Sequence, residues 1–318
     1  MILTRRHLRK KVMQSLFAME LSKNIELEKE RKFLVKSIDQ LNGLFLANLS
    51  FLIALRDHAD YLYTSSKNNF IPSTKKQQEP HLKIRNNKVL NLLNNHPKLS
   101  AAIEKYKVDY WDLDTKYVSM VYDQLKEHDF YLTYQETSQD NDFKTDLKFV
   151  INIFKEVVVE FDPLYQYFED REITWGTDFP VANSMTLHYL EKLKDEKSDL
   201  ESMIPTFIKD RIDVEFAIDL FQKTKLHEAK FTEAIDQNAD KWELKRIAPI
   251  DKILISMGIC ELLYFPSIPT KVTLNEYIEI SKDFSTPKSN IFINGLLDKF
   301  SKEYTRSGEI NKIGRGLL

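Results

Sequence analysis

Glycine is scarce in this sequence: it supplies 7 of 318 residues, roughly 2% against an average usage of roughly 7%. Only Gly43 and Gly176 precede Gly258, so most of the sequence has no glycine-rich loop that could cradle a phosphate. The one Gly-x-Gly, at residues 314–316, is followed by two residues, too few for the helix that a dinucleotide-binding turn requires. The scarcity of glycine therefore argues against nucleotide folds of the Rossmann and P-loop types.

Cysteine and histidine, the residues that most often bind metals or act as nucleophiles and bases, are few and far apart in the sequence. The single cysteine, Cys260, excludes an intramolecular disulfide and a thiolate metal cluster, which fits a reducing cytoplasm. The seven histidines are at least 15 residues apart in the sequence, whereas metal-binding pairs on a helix need ligands one turn apart. The sequence leaves open a site assembled from distant residues but points to none. We therefore predict no catalytic residue, no metal site and no cofactor.

A net charge of one sign and long apolar runs are also missing. Lys and Arg total 46 against 48 Asp and Glu, so the charge of the whole chain predicts neither a nucleic-acid nor a membrane partner, and any such signal must be local. The apolar stretch Phe45–Leu55 is 11 residues long and contains Asn48 and Ser50, too short to span a bilayer. The N-terminal apolar stretch is interrupted by polar residues and lacks a cleavage site. We predict a soluble, cytoplasmic protein with no membrane segment.

Helical periodicity is the main pattern that is present. Apolar residues from Leu34 to Leu62 recur every three or four positions over about eight turns. The polar, proline-containing segment 64–88 predicts a loop. Trp242–Phe265 is apolar nearly all round, as a central buried helix would be, and Pro249 suits its first turn. No stretch sustains a period of two, so the predicted fold class is all-α. Further helices are predicted at about 99–132, 145–169, 181–197, 206–237 and 289–304.

The sequence after Pro269 contains a helix-start pattern. In Thr273-Leu274-Asn275-Glu276 the Thr hydroxyl and the Glu carboxylate have the spacing of a capping box. The pattern predicts a helix that begins at Thr273 and ends near Phe284.

The densest local signal is a cluster of positive charge at the start of the sequence. Its members are Arg5, Arg6, Arg9, Lys10 and Lys11, and no acidic residue appears before Glu20. On a helix these cations form an arc of roughly half the circumference, and such an arc can hold several phosphates. The alternative is a solvated helix with a chance excess of charge.

Several blocks of residues, in a fixed order, resemble the family of the bacterial transcription antitermination factor NusB. The first block, residues 4–17, is similar to the arginine-rich opening helix of the family. Residues 242–254 resemble its tryptophan-led entry into a central helix, and residues 292–299 resemble its Phe-x-Asn-Gly-x-Leu-Asp signature. The intermediate blocks are Glu261-Leu262-Leu263, Ile268-Pro269-Thr270-Lys271-Val272 and Asn275-Glu276.

The resemblance implies a NusB-like helical bundle with a large helical insertion. The NusB-like RNA-binding domain would comprise residues 1–22 and 208–305, with residues 23–207 as a helical insertion or extension and 306–318 as a flexible tail. The family is not catalytic. It binds the single-stranded boxA element of leader RNA together with the ribosomal protein NusE, and nucleates the antitermination complex on RNA polymerase during ribosomal RNA transcription.

The resemblance also implies which residues meet RNA. Arg5, Arg6, Arg9 and Lys10 match the helix that would contact phosphates. Phe292 matches an aromatic residue beside the RNA path, although its type and spacing alone favour a core position. Lys288 stands where the family often has an acidic residue, and would add attraction to phosphate.

Two other functions compete with this reading. The same helical module resembles the N-terminal domain of certain ribosomal-RNA cytosine methyltransferases, but the α/β cofactor domain that they need does not follow within this sequence. The second alternative is a helical scaffold of the transcription or ribosome-assembly machinery, in which the insertion is the working part and RNA binding has been lost.

Overall fold

The computed structural model describes residues 4–23, 26–68, 75–138, 140–198, 211–239 and 247–317. All regular secondary structure in these residues is helical, which confirms the predicted all-α class. The residues of the tryptophan-led block up to 246 lie outside the described residues. The helices are α1 (Arg5–Ser22), α2 (Leu27–Asn68), α3 (Lys75–Arg85), α4 (Lys88–Asn94), α5 (Pro97–Tyr106), α6 (Thr115–Leu125), α7 (Asp129–Glu136), α8 (Phe143–Asn152), α9 (Asp162–Arg171), α10 (Phe179–Glu191), α11 (Arg211–Leu226), α12 (Glu228–Ala239), α13 (Pro249–Tyr264), α14 (Thr270–Phe284) and α15 (Ser289–Ser307). A π-helical turn, Ile153–Val158, continues α8, and short 3-10 helices lie at Tyr110–Asp112, Ile173–Trp175 and Gly314–Leu317.

The chain divides into two compact units. Unit 1 comprises Asp39–Phe207, and unit 2 comprises residues 2–38 together with 208–318. The division falls within α2, after residue 38, and again after residue 207. The domain bounds that the resemblance implies, 1–22 with 208–305 and 23–207, stay predictions.

Helix α13 is the centre of unit 2. It begins with Pro249 in its first turn, where the missing N–H has no partner to lose, and the residues from Ile253 to Leu262 are all buried. Helices α1, α11, α12, α14 and α15 pack around it. A helix with neighbours on every side needs apolar residues on every side, so the all-round apolar pattern of the sequence is explained by this position.

Helix α14 begins earlier than the capping box predicts. The helix starts at Thr270, after an extended Pro269, so Thr273 lies inside the helix and is fully buried. Its hydroxyl donates to Glu261 Oε1 at 2.8 Å instead of capping the helix. The prediction was wrong because a buried carboxylate from another helix is a stronger acceptor for this hydroxyl than a local partner.

Helix α2 is the long element of unit 1. Within unit 1 most of its apolar side chains up to Ala59 are buried, and the rings of Phe51 and Trp111 make an edge contact with centroids 4.8 Å apart. Among the described residues, Leu27–Lys67 is the one segment long and apolar enough to cross a membrane, but 78% of its most apolar window is buried inside the structure. This burial is typical of a core helix, and we interpret α2 as one.

The segment 64–88, predicted as a loop, is partly helical. Helix α2 continues to Asn68 and α3 covers Lys75–Arg85, while residues 69–74 lie outside the described residues. Tertiary contacts stabilise the end of α3: Ile84 is fully buried, and the Lys83 ammonium donates to the carbonyl oxygens of Tyr134 and Thr137. Local composition contains no information about these partners.

The C-terminal segment, residues 309–317, is attached to the core of unit 2 and differs from the flexible tail expected from residue 306. Gly308 adopts a left-handed conformation, with φ of 74°, that ends α15 and redirects the chain. Ile313 N–H then donates to the Pro266 carbonyl at 3.0 Å. The Lys312 ammonium donates to the carbonyls of Glu261 and Phe265 at 3.3 and 3.1 Å, at the end of α13, where these carbonyls also accept from the backbone N–H groups of Phe265 and Ile268.

Candidate nucleic-acid interface

Helix α1 carries the predicted basic cluster and belongs entirely to unit 2. Thr4 is its N-cap, with a hydroxyl that accepts from the His7 backbone N–H at 3.3 Å. The helix packs against α11, α13 and α14 through one face. Packing therefore separates the cations: Arg9 and Lys11 are 2% and 1% exposed, whereas the side chains of Arg5 and Arg6 are 43% and 44% exposed.

Arg9 makes a buried ion pair with Glu261 of α13. Its Nε and Nη2 atoms donate to the two carboxylate oxygens, both at 2.8 Å. Glu261 also accepts from the Thr273 hydroxyl at 2.8 Å and from the Tyr277 hydroxyl at 3.2 Å, so both of its oxygens are satisfied. Burial alone disfavours the charge of Arg9, but its hydrogen bonds and attraction to Glu261 outweigh this and raise its pKa. The cluster joins α1, α13 and α14.

The exposed arginines are held by carboxylates at the surface. Arg6 donates from Nε and Nη2 to both oxygens of Glu276, at 3.1 and 2.8 Å, and this hydrogen bonding raises the pKa of Arg6. Glu276 lies 3.4 Å from Arg9 Nη1 as well. Arg5 reaches Asp213 of α11 at 3.4 Å and lies over the Phe216 ring. These contacts orient the guanidinium groups while leaving them accessible.

A groove of about 530 Å³ runs along the start of α1 within unit 2. Its apolar side is formed by Ile268, Pro269 and Val272, and Val272 is 43% exposed. Four arginines reach this groove. The lining side chains that can carry charge are Arg5, Arg6, Arg9, Arg315 and Glu276.

The remaining predicted site residues lie elsewhere. Lys10 donates to Asp283 at 2.7 Å and lies over the Phe284 ring, outside the lining of the groove. Lys288 is exposed at the N-cap of α15, in a turn fixed by hydrogen bonds from Ser285 and Ser289 to Asp251. Phe292 is 5% exposed and belongs to the core. Thus the structure brings together Arg5, Arg6 and Arg9 but not the other three.

A second cavity, within unit 1, has the opposite charge. It has a volume of about 650 Å³ and is lined by Asp57, Glu104, Asp109 and Asp112. Four carboxylates repel phosphate oxygens, so of these two cavities only the groove of unit 2 suits a nucleic acid. Among the described residues, no group of three or more His, Cys, Asp or Glu side chains could hold a metal ion.

Two functional features were missed by sequence reasoning. The pairing role of Glu261 was missed: it is an acidic residue in the apolar second half of α13, and such a residue indicates a buried cationic partner. Arg315 lies near the C-terminus in a segment with no helical periodicity, and the sequence contains no signal that could have placed it beside α1.

Comparison with known proteins finds one family whose model matches the C-terminal part of the chain. The model described as the NusB family matches residues 181–302. Within unit 2 the match covers α11 to α14 and most of α15, and α1 packs beside α11, α13 and α14.

Three curated relatives share the printed name "Transcription antitermination protein NusB". The protein from Koribacter versatilis is 32% identical over 127 residues, which cover 38% of this chain and 87% of that protein. The protein from Salinibacter ruber is 43% identical over 104 residues, 33% of this chain and 65% of that protein. The protein from Chloroherpeton thalassium is 49% identical over 84 residues, 26% of this chain and 40% of that protein. The chain therefore spans less than two thirds of the last two relatives, and no solved structure matches it.

Proposed function

This chain belongs to the NusB family, and on that premise we propose that it is a non-catalytic, cytoplasmic transcription antitermination factor. In this proposal it binds single-stranded boxA-type leader RNA together with the ribosomal protein NusE, as part of the RNA polymerase antitermination complex that supports ribosomal RNA transcription.

The observation that carries the proposal is the arginine-lined groove of unit 2. Arg5 and Arg6 are accessible there, and a guanidinium group can donate two parallel hydrogen bonds to a phosphate. Single-stranded RNA suits an open groove because its backbone can follow the protein surface, whereas the deep major groove of duplex RNA is too narrow for side chains to read.

The other predicted residues have different roles in this proposal. Arg9 holds α1 against α13 through Glu261, so it positions Arg5 and Arg6 rather than touching RNA. Lys10 and Lys288 add attraction to the polyanion from outside the groove. Phe292 packs in the core of unit 2, so base stacking on its ring is not part of the proposal.

The test is a fluorescence-anisotropy titration of a labelled boxA-type RNA and of a scrambled RNA of equal length, at fixed salt, with and without the ribosomal protein. We expect preference for the boxA sequence and stronger binding when the ribosomal protein is present. Weak or equal binding of both RNAs, in both conditions, would contradict the proposal and favour the scaffold alternative.

A charge variant locates the binding surface. Replacing Arg5 and Arg6 by Ala should reduce the slope of log affinity against log salt by about 1.4, because each phosphate contact on a single strand contributes about 0.7. The matched control replaces Lys302 and Arg306, which lie on the exposed end of α15 away from the groove lining. The control removes the same charge and should leave the slope unchanged.

A further inference from the structure

We propose that the C-terminal segment, residues 309–317, is part of the RNA-binding groove and supplies Arg315 as a phosphate-contacting residue. This inference rests on the proposed function and deepens it. It assigns a role to a segment that lies beyond residues 181–302, where the family model matches.

The C-terminal segment has a defined position in unit 2. Its backbone is attached to Pro266 through the Ile313 N–H, and its Lys312 ammonium reaches two carbonyls at the end of α13. Gly316 is buried against the Pro266 carbonyl, so closely that a Cβ atom would overlap the carbonyl oxygen. These three attachments surround Arg315 in the sequence, so they fix where its backbone lies.

This position puts Arg315 on the same groove as α1. The groove is lined by Arg315 together with Thr4, Arg5 and Arg6, and by Pro269 on its apolar side. The short linker between α13 and α14 contains Pro266, to which the segment is attached, and Ile268 and Pro269, which line the apolar side of the groove. The segment is therefore held to the same linker that forms the groove.

The arginines of the groove differ in how far carboxylates balance their charge. Arg6 and Arg9 share Glu276, and Arg9 is further paired with Glu261, so much of their charge is balanced within the protein. Within the described part of the chain, no carboxylate pairs with the exposed Arg315 side chain. An arginine that lines the groove without a carboxylate partner contributes its full charge, and a phosphate is the anion that its planar donor fork fits best.

The test uses the full chain and the labelled boxA-type RNA, titrated over a range of salt concentrations. Arg315→Ala should weaken binding about three- to tenfold at low salt and reduce the log–log slope by about 0.7. Arg315→Lys should keep the slope because the charge remains. The matched control is Arg306→Ala, an exposed arginine at the end of α15 outside the groove lining, which should leave affinity and slope unchanged.

A second variant tests the position of the segment rather than the charge. Gly316→Ala should force the segment away from Pro266 while keeping Arg315. We expect it to weaken RNA binding as much as Arg315→Ala does. The double variant, with Arg315→Ala and Gly316→Ala, should bind RNA no more weakly than either single variant.

The outcomes separate the two proposals. If the unmodified chain prefers boxA-type RNA but Arg315→Ala behaves like the Arg306→Ala control, the inference about the segment is overturned and the proposed function stands. If the unmodified chain binds neither RNA, both are overturned.

Discussion

At the scale of single residues, burial decides what each cation of α1 does. Arg5 and Arg9 are four positions apart, so they share one face of the helix and sequence spacing alone treats them alike. The structure makes them different because Arg9 faces the fully buried Glu261, whereas Arg5 lies at the edge of α11 beside Asp213. A buried charge is tolerated only with a matched partner and further hydrogen bonds, which Thr273 and Tyr277 provide.

The first prediction concerns this buried pair. Glu261→Gln should lower the free energy of unfolding by about 3 kcal/mol, because it removes the bidentate counter-charge of the buried Arg9 guanidinium and leaves only the longer contact with Glu276, which Arg9 shares with Arg6. The measurement is urea unfolding followed by circular dichroism. As a matched control, Asp298→Asn removes a carboxylate from an exposed pair with Lys302, and should cost less than about 1 kcal/mol. Equal losses of unfolding free energy for the two variants would show that Glu261 does not form a buried ion pair with Arg9.

The second prediction distinguishes cations inside the groove from those outside it. Lys10→Ala should change the salt dependence of RNA binding less than half as much as Arg6→Ala, because Lys10 lies outside the groove lining and is held by Asp283. The full effect expected for one phosphate contact is a slope change of about 0.7. Equal changes for the two variants would mean that RNA follows the whole basic arc rather than the groove.

At the scale of elements, close approach of α13 and α15 depends on one glycine. A Cβ atom at Gly258 would lie 2.6 Å from Cδ2 and 2.9 Å from Cδ1 of Leu297, which is itself fully buried. Glycine is unfavourable inside a helix by about 1 kcal/mol relative to alanine. Its presence in the middle of α13 is therefore explained by packing and not by helix formation.

The third prediction tests this packing. Gly258→Ala should destabilise unit 2 by about 1 kcal/mol, because overpacking of about 1–3 kcal/mol exceeds the gain in helix propensity. Leu297→Ala alone should cost about 2–5 kcal/mol through the cavity that it leaves. Urea unfolding of the double variant should show a smaller loss than the sum of the single losses, by more than about 0.5 kcal/mol. Additive losses would mean that the two residues do not compete for the same space.

At the scale of the whole molecule, each of the two units has its own core, and a single thiol reports on one of them. Cys260 is fully buried in α13 of unit 2, and burial raises the pKa of its thiol to about 12. Because the thiolate is the reactive form, a thiol reagent at pH 8 should modify Cys260 only when unit 2 opens. Unit 1 contains its own buried polar group, Asp146, which accepts from the Tyr134 hydroxyl at 2.8 Å and from the Lys88 N–H at 2.7 Å.

The fourth prediction uses this thiol to test the division into units. Asp146→Ala leaves two donors without partners in unit 1 and should lower the thermal unfolding midpoint, but should leave the rate of Cys260 modification unchanged. Glu261→Gln, in unit 2, should increase that rate. The measurement is the modification rate in native buffer, followed with a chromogenic disulfide reagent. If Asp146→Ala also increases the rate, the two units open together.

The all-α class, the central position of α13 and the basic character of α1 could all be predicted from the amino-acid sequence. These properties depend on periodicity and composition, which are local and can be observed directly in the sequence. The resemblance carried by its short blocks led to the family, and the family comparison confirmed it. The scarcity of glycine argues against nucleotide-binding folds, and the wide spacing of the histidines argues against a local metal motif.

Which cations are accessible, and which residues complete the groove, depends on tertiary packing. Arg9 is buried because Glu261, 252 positions away, lies opposite it, and Phe292 is buried because its helix packs on α13. The Thr273 hydroxyl donates to the same carboxylate instead of capping α14, which begins at Thr270 rather than at the predicted Thr273. Arg315 reaches the groove through hydrogen bonds between the C-terminal segment and the end of α13. Burial and proximity depend on segments that are distant in the sequence, so no local pattern could have shown them.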